Sequence, residues 1–277
     1  MSSKKMLNYG QDIFMQKFSH SYMVAGRDMD LDYRMLPMAA LAYYEDSFAR
    51  YLGSRFLAAF DIRAQGLYWV ISEIDMRIDG ELPPWSERFD VELWISEKSR
   101  IKIYCDFTMS YGGRVFARGN CCWIVLDKNR KRPTDTRILD GKVDLIEELA
   151  AGEHRRFEWQ ASEKLMNTLE HRVGMNDIDF NRHMNNRTYL DLAVACHMES
   201  SGFEDAARRI RVKFMQECFV GDVLKCHEYG LENNCFGYSL ERDGSPVCQV
   251  ILEFEKRASR EPIEGMPLAL RLEQFKP

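Results

Sequence analysis

Between Gly174 and Gly202 the chain reads GMNDIDFNRHMNNRTYLDLAVACHMESSG, and its opening crowds Asn176, Asp177, Asp179, Asn181, His183, Asn185 and Asn186 into one short polar run. Asn and Asp side chains bond their own backbone and so favour helix starts over helix interiors, which makes this run a helix N-terminus. The amides left open there, with the helix dipole behind them, form a site for a carbonyl oxygen that gains negative charge. His183 stands at that mouth. A cap needs one or two such residues, so a segment that spends five or more points past capping to catalysis.

The helix follows without a break: Tyr189, Leu192, Ala193 and Cys196 give one apolar stripe, and Gly202 supplies the stop. The same design occurs earlier in the chain. Displacing the sequence against itself by 147 positions lays Asp30-Leu31-Asp32-Tyr33 on Asp177-Ile178-Asp179-Phe180, and the helices stay in register as far as Phe56 and Phe203. On this alignment Asn181 faces Arg34 and His183 faces Leu36, so one copy carries chemistry and the other is emptied. Pro37 sits near the first helix start, where its missing N–H is harmless, and Ala39, Ala40, Leu41 and Ala42 offer a slim surface for packing on a sheet.

After each helix come runs of period two. In the first half Ile74, Met76 and Ile78 alternate with charged residues, followed by Val91, Leu93 and Ile95, by Ile101 and Ile103, and by an apolar run over 121–126. The second half answers with Ile210, Val212 and Phe214, then strands near 222–229, 236–242 and 246–256. Gly112-Gly113 and Asp243-Gly244 suit tight hairpins between the last two strands of each half. One more strand, over 17–24 and 168–173, is expected before each helix. A sheet curled round its helix is the hot-dog architecture, so the expected class is α+β, with two tandem hot-dog domains paired as a pseudo-dimer. The boundaries expected are 1–137 for the first domain, 138–165 for a linker, 166–258 for the second domain and 259–277 for a C-terminal extension. Within the joint, 143–151 reads as a short helix.

Composition narrows the function. A length of 277 residues exceeds the usual domain of about 100–150, in keeping with two core units. A net charge of -5 argues against a general nucleic-acid binder. No apolar run approaches the roughly 20 residues of a membrane span, and the basic N-terminus has no apolar core behind it, so a cytoplasmic location is expected. The eight cysteines show no ligand spacing, which leaves no call for disulfides, a metal or a cofactor.

The run DIDFNRHMNNRTYL resembles the D-x-N-x-H-x-N-N-x-x-Y motif of acyl-acyl-carrier-protein (acyl-ACP) thioesterases, the plant and bacterial enzymes that end fatty-acid synthesis. That family carries a Glu-Cys pair on a strand downstream, and FMQEC supplies Glu217 and Cys218, followed by Asp222. The first half is similar too, through 18–25, Leu67-Tyr68-Trp69-Val70 and PPWSERFDVELW, so the likeness covers about residues 15–256. It implies a thioester hydrolase with Asp179, Asn181, His183 and Glu217 as its site. Glu217 would be the base for a water if partial burial raises its pKa; Asn181 and His183 would hold the water or polarise the carbonyl, and Asp179 would orient its neighbours. Cys218 with His183 and Asn181 could instead form a nucleophilic triad, but adjacent strand residues face opposite ways, which favours Glu217.

The first domain would supply walls for the acyl chain. The implied partner is acyl carrier protein, small and acidic, with three basic islands as landing sites: Lys128/Arg130/Lys131/Arg132, Arg155/Arg156 and Arg209/Arg211/Lys213. A homodimer is compatible with the sequence. Two other functions stay open: an acyl-CoA thioesterase of hot-dog type, and a non-hydrolytic acyl-binding or dehydratase-like hot dog.

Overall fold

The period-two runs assemble into a single antiparallel sheet of eleven strands. The computed structural model describes residues 16–256, apart from 160, 161, 163, 203 and 204. The sequence-derived N-terminal segment before it, the tail after it and the alignment end point at 203 lie outside the described residues. The first half contains β1 (Phe18–Met23), α1 (Ala39–Ser54), a one-turn α2 (Ala59–Arg63), β2 (Leu67–Ile78), β3 (Arg88–Lys98), β4 (Ile103–Tyr111), β5 (Arg114–Asp127) and a two-residue β6 (Arg132–Pro133). The second contains β7 (Leu165–Arg172), α3 (Asn186–Ser201), β8 (Asp205–Phe214), β9 (Val223–Gly230), β10 (Cys235–Arg242) and β11 (Ser245–Lys256).

Strand order is β1-β3-β4-β5-β2-β8-β11-β10-β9-β7, with β6 beside β5. The two halves are the same meander read in opposite directions and joined through β2 and β8, where Glu73 lies opposite Lys213 and Arg77 opposite Arg209. This is the paired tandem hot-dog arrangement. Along the seam Ile74, Met76, Val212 and Ile210 are buried towards the helices. On the other face Asp75 receives Arg209 through Nε and Nη2 at 2.9 and 2.7 Å. The hairpins behave as their residues demand: Gly112 and Gly113 have φ of 57° and 75°, and Asp243 and Gly244 have 53° and 73°. Both left-handed pairs match the twist of the flanking strands.

Each helix lies in the concave face of its half. From α1, Leu41, Tyr44, Phe48, Tyr51 and Leu52 are buried at three- and four-residue spacing. Phe48 stacks on Trp123 with centroids 4.3 Å apart, and Trp123 donates its indole N–H to the Tyr44 hydroxyl at 2.9 Å. Deleting a ring from such a packed stack costs about 3–5 kcal/mol. From α3, Tyr189, Leu192, Ala193 and Cys196 are buried, as the stripe requires, and Gly202 ends the helix with φ of 80°. His197 near its C-terminus is pinned to the sheet by Glu228, with Nδ1 2.7 Å from Oε1.

The joint between the halves corrects one expectation: 143–151 is not helical. It runs as an extended strap, with Leu145 in a parallel bridge to Ile95 of β3 just past the end of the β1–β3 pairing at Leu93, because that stretch of edge offers bonds the strap can use. Ile146 donates its amide to the Ile95 carbonyl, and the Trp94 indole donates to the Glu148 carbonyl at 2.7 Å. Farther on, His154 stacks on Tyr104 and places Nε2 2.7 Å from the buried Asp106 carboxylate. All eight cysteines are free thiols. Among the described residues, no helix is long and apolar enough to cross a membrane.

Candidate active site

The polar run 175–186 folds into a compact loop ahead of α3 because its own side chains supply the bonds. Asp177 Oδ2 accepts from the Gly174 amide at 2.7 Å and lies 2.8 Å from His171 Nε2, closing a 3-10 turn. Asp179 donates its amide to the His183 carbonyl at 3.0 Å, and its Oδ1 accepts from the Asn181 amide at 2.7 Å. Between them Arg182 has φ of 70°. A side chain held in the left-handed region costs about 1–3 kcal/mol and survives only where its surroundings impose it. Asn185 then caps α3, its Oδ1 accepting from the Arg187 amide at 2.8 Å.

Asp179, Asn181, His183 and Glu217 are brought together. His183 Nδ1 lies 3.8 Å from Asp179 Oδ1, and His183 Nε2 lies 3.9 Å from Glu217 Oε1. The Asn181 side-chain amide donates to Asp179 Oδ2 at 3.3 Å. The imidazole thus stands between two carboxylates at the start of a helix. Arg187 and Thr188 already spend their amides on Asn185 Oδ1 and the Asn185 carbonyl, so part of the helix mouth is taken up by the cap.

Two expectations about the Glu-Cys pair change. The pair is not in a strand: β8 ends at Phe214, and 215–219 is a loop, so strand alternation is not what separates the two side chains. The loop backbone does that work, because the Met184 amide donates to the Cys218 carbonyl at 2.8 Å and ties the loop to the residue after His183. Cys218 is fully buried, and burial pushes its thiol up, away from a thiolate. Glu217 is 43% exposed rather than partly buried.

The register of the repeat also changes. The helices keep the offset of 147, with α1 starting at Ala39 and α3 at Asn186. Ahead of them the offset is 149: Asp30 donates to the Arg34 carbonyl as Asp179 does to that of His183, Met29 bridges Met35 as Ile178 bridges Met184, and Tyr33 shares the positive φ of Arg182. Pro37 and Met38 are the two extra residues before α1. Asn181 therefore corresponds to Asp32 and His183 to Arg34, not to Arg34 and Leu36. Arg34 fills the emptied place with an ion pair to Glu81 and a 2.9 Å bond from Nη1 to the Leu82 carbonyl.

Sequence reasoning missed the contribution of the first half. Tyr68, at the start of β2, has its hydroxyl pKa raised by burial and then by the charge of Glu217. Glu45 on α1 accepts from Asn186 Nδ2 at 2.8 Å. Burial pushes its carboxyl up to about 7, Asp179 adds to the rise and the Asn186 bond opposes it. Asp28, itself buried, accepts from Arg187 Nη1 at 2.5 Å. None carries a motif; only the 147 repeat, which pairs Glu45 with the apolar Leu192, marks one of them as unusual.

Residues 15–145 match the acyl-ACP thioesterase N-terminal domain, and residues 160–256 match the acyl-ACP thioesterase C-terminal domain. The chain belongs to the acyl-ACP thioesterase family. A curated relative, the chloroplastic oleoyl-acyl carrier protein thioesterase 2 of Arabidopsis thaliana, is 22% identical over 187 residues, which are 61% of this chain and 49% of that protein. The chain thus spans about half the length of the curated relative it matches. Two solved structures share the fold. An acyl-ACP thioesterase from Bacteroides thetaiotaomicron aligns with TM-score 0.74 and 19% identity, covering 86% of this chain and 97% of that one. The 12:0-ACP thioesterase from Umbellularia californica aligns with TM-score 0.77 and 16% identity, covering 87% and 98%.

Proposed function

We propose that the chain hydrolyses the thioester of fatty acyl-ACP to free fatty acid and carrier protein, ending chain elongation. The observation that carries this reading is His183 standing between Asp179 and Glu217 at the start of α3, with 3.8 and 3.9 Å to the two carboxylates. Both gaps exceed a direct hydrogen bond, a separation at which a catalytic base acts through one water. Glu217 takes a proton as the water oxygen attacks the carbonyl carbon. The carbonyl oxygen becomes an oxyanion facing the His183 ring. Collapse of the tetrahedral intermediate breaks the C–S bond, and the proton returns to the departing sulfur to give the carrier thiol. Asp179 holds the Asn181 side chain and faces His183 Nδ1, so its role is orientation. No step calls on a metal or a cofactor.

In this reading the second domain carries the reactive groups, and the first lines the path of the acyl chain. The carrier lands on the basic turn Lys128–Arg132. That turn lies at the same end of the sheet as Glu217: the Lys128 amide donates to the Gly66 carbonyl, one residue before β2, where Tyr68 senses Glu217. The Arg209/Arg211 stripe is already engaged with Asp75, which makes it the weaker landing site. The free thiols suit a reducing, cytoplasmic setting.

The test is thiol release from acyl chains of graded length, each offered on acyl carrier protein and on CoA. Faster release from the carrier series supports the proposal. Faster release from CoA assigns an acyl-CoA thioesterase, and binding without release assigns an acyl-binding or dehydratase-like hot dog.

A further inference from the structure

The carboxyl of Glu45 lies where the halves meet. It belongs to α1, yet its Oε1 accepts from Asn186, the first residue of α3, at 2.8 Å. Asp179, from the loop that carries His183, acts on it electrostatically, and Cys121 of β5 feels its charge from the other side. No cation among the described residues pairs with it. Glu45 keeps part of its surface in solvent, yet a half-buried acid without a counter-ion is still disfavoured, and folds retain such groups where they do something else.

The internal repeat supplies the control. At the offset of the helices, Glu45 corresponds to Leu192 and Asn186 to Ala39, so the matching place beside Arg34 has neither the acid nor its amide donor. On α3 the acid near the first-half loop is Asp191, one residue before that place, and Arg187 answers it at 3.3 Å, whereas Glu45 has the Asn186 amide and no cation. A scaffold requirement shared by both halves would have put the same pair in both.

We propose that Glu45 is a positioning residue of the hydrolytic site, contributed by the first half: it holds the Asn186 side chain and thereby fixes the first turn of α3 against the His183 loop. It acts through Asn186, without touching the reacting atoms. The inference rests on His183 and Glu217 being the hydrolytic centre.

The test uses the full chain, with steady-state thiol release from acyl carrier protein substrates and thermal unfolding measured on the same samples. Glu45→Leu, the residue type at the matching place in α3, should lower kcat by about tenfold or more while KM changes less than about twofold. Its melting temperature should equal or exceed that of the parent, because an uncompensated acid has been removed. Glu45→Gln keeps an acceptor oxygen for Asn186 and should recover most of kcat. Parental kcat in Glu45→Leu overturns the inference, as does an equal loss in both variants accompanied by a lower melting temperature. Should Glu45→Leu fail to fold, Asn186→Ala removes the same bond from the other side: a comparable fall in kcat supports the inference and parental kcat overturns it. His183→Ala separates the two readings. Activity retained there removes the centre and the inference together, whereas activity lost there with Glu45→Leu intact removes the inference alone.

Discussion

Arg34 occupies in the first half the place that His183 occupies in the second. The carbonyl of each accepts from the amide of an aspartate four residues earlier, at 2.7 Å from Asp30 and 3.0 Å from Asp179. The loop is thus one backbone design used twice. In one copy its side chain reaches Glu81 and the Leu82 carbonyl, and in the other it faces Glu217. On the proposal that His183 and Glu217 form the hydrolytic centre, replacing Arg34 by His should leave kcat unchanged. It should lower stability by about 1–3 kcal/mol, because the partners of a mostly buried guanidinium are left unmet. Parallel kinetics and thermal melts check both halves of this statement.

Glu217 and Cys218 should separate cleanly. Glu217→Gln should reduce kcat roughly a hundred- to ten-thousand-fold, the range for loss of a general base. Cys218→Ala should keep kcat within about twofold and cost about 1–2 kcal/mol for the small cavity it leaves. Single-turnover hydrolysis with unfolding of both variants measures this. A dead Cys218→Ala with an active Glu217→Gln would reverse the roles.

Glu45 gives the fold a pH dependence with a definite sign. Its folded-state pKa of about 7 lies above its ordinary 4.5, so between those values the folded chain holds more protons than the unfolded one. Stability from this group is fully present below about 4.5 and declines as pH rises through about 7, by on the order of 3 kcal/mol at most. The groups facing it are Asp179, Asn186 and Cys121, so no cation offsets the loss. Denaturant unfolding of the parent and of Glu45→Gln should show stabilities that converge near about pH 4 and diverge in favour of the variant by about pH 8.

The basic turn should act on the carrier and not on the thioester. Reversing Arg130 and Lys131 to Glu should raise KM for acyl carrier protein substrates about three- to tenfold at low salt. The KM for a short acyl-pantetheine thioester should stay as it was. Reversal of Arg155 and Arg156, farther from the Glu217 end of the sheet, should have the smaller effect in the same assay.

What could be read from residues alone follows the range of the forces involved. Strand alternation, the Gly and Asp-Gly hairpins and the Tyr189–Cys196 stripe are local, and they gave the repeated helix-and-meander directly. The cluster of Asp179, Asn181 and His183 was legible because its spacing is set by one loop. Glu45 was not, because its importance depends on the pairing of β2 with β8, which sets α1 opposite α3, and no periodicity encodes that pairing. The offset of 149 in the loops was hidden by Pro37 and Met38: matching the helices forced two residues of slip onto the segment before them. The strap over 143–151 has helical composition, yet bonds to Ile95 and Trp94 of β3 outweigh it. The exposure of Glu217 follows from a loop that begins at residue 215, where the apolar pattern simply stops.

The joining of β2 to β8 has an evolutionary reading. Severed from the first half, β8 would offer a bare backbone edge, and a second copy of the same fragment could satisfy it and rebuild an unbroken sheet. Such a homodimer would own two imidazole centres, and facing each would be leucine from position 192 of the other copy. Identical copies can place an acid opposite both centres or neither. Fusion of two diverged halves into one polypeptide removes that restriction, and the Glu45 carboxyl on α1 is the sort of asymmetry it permits.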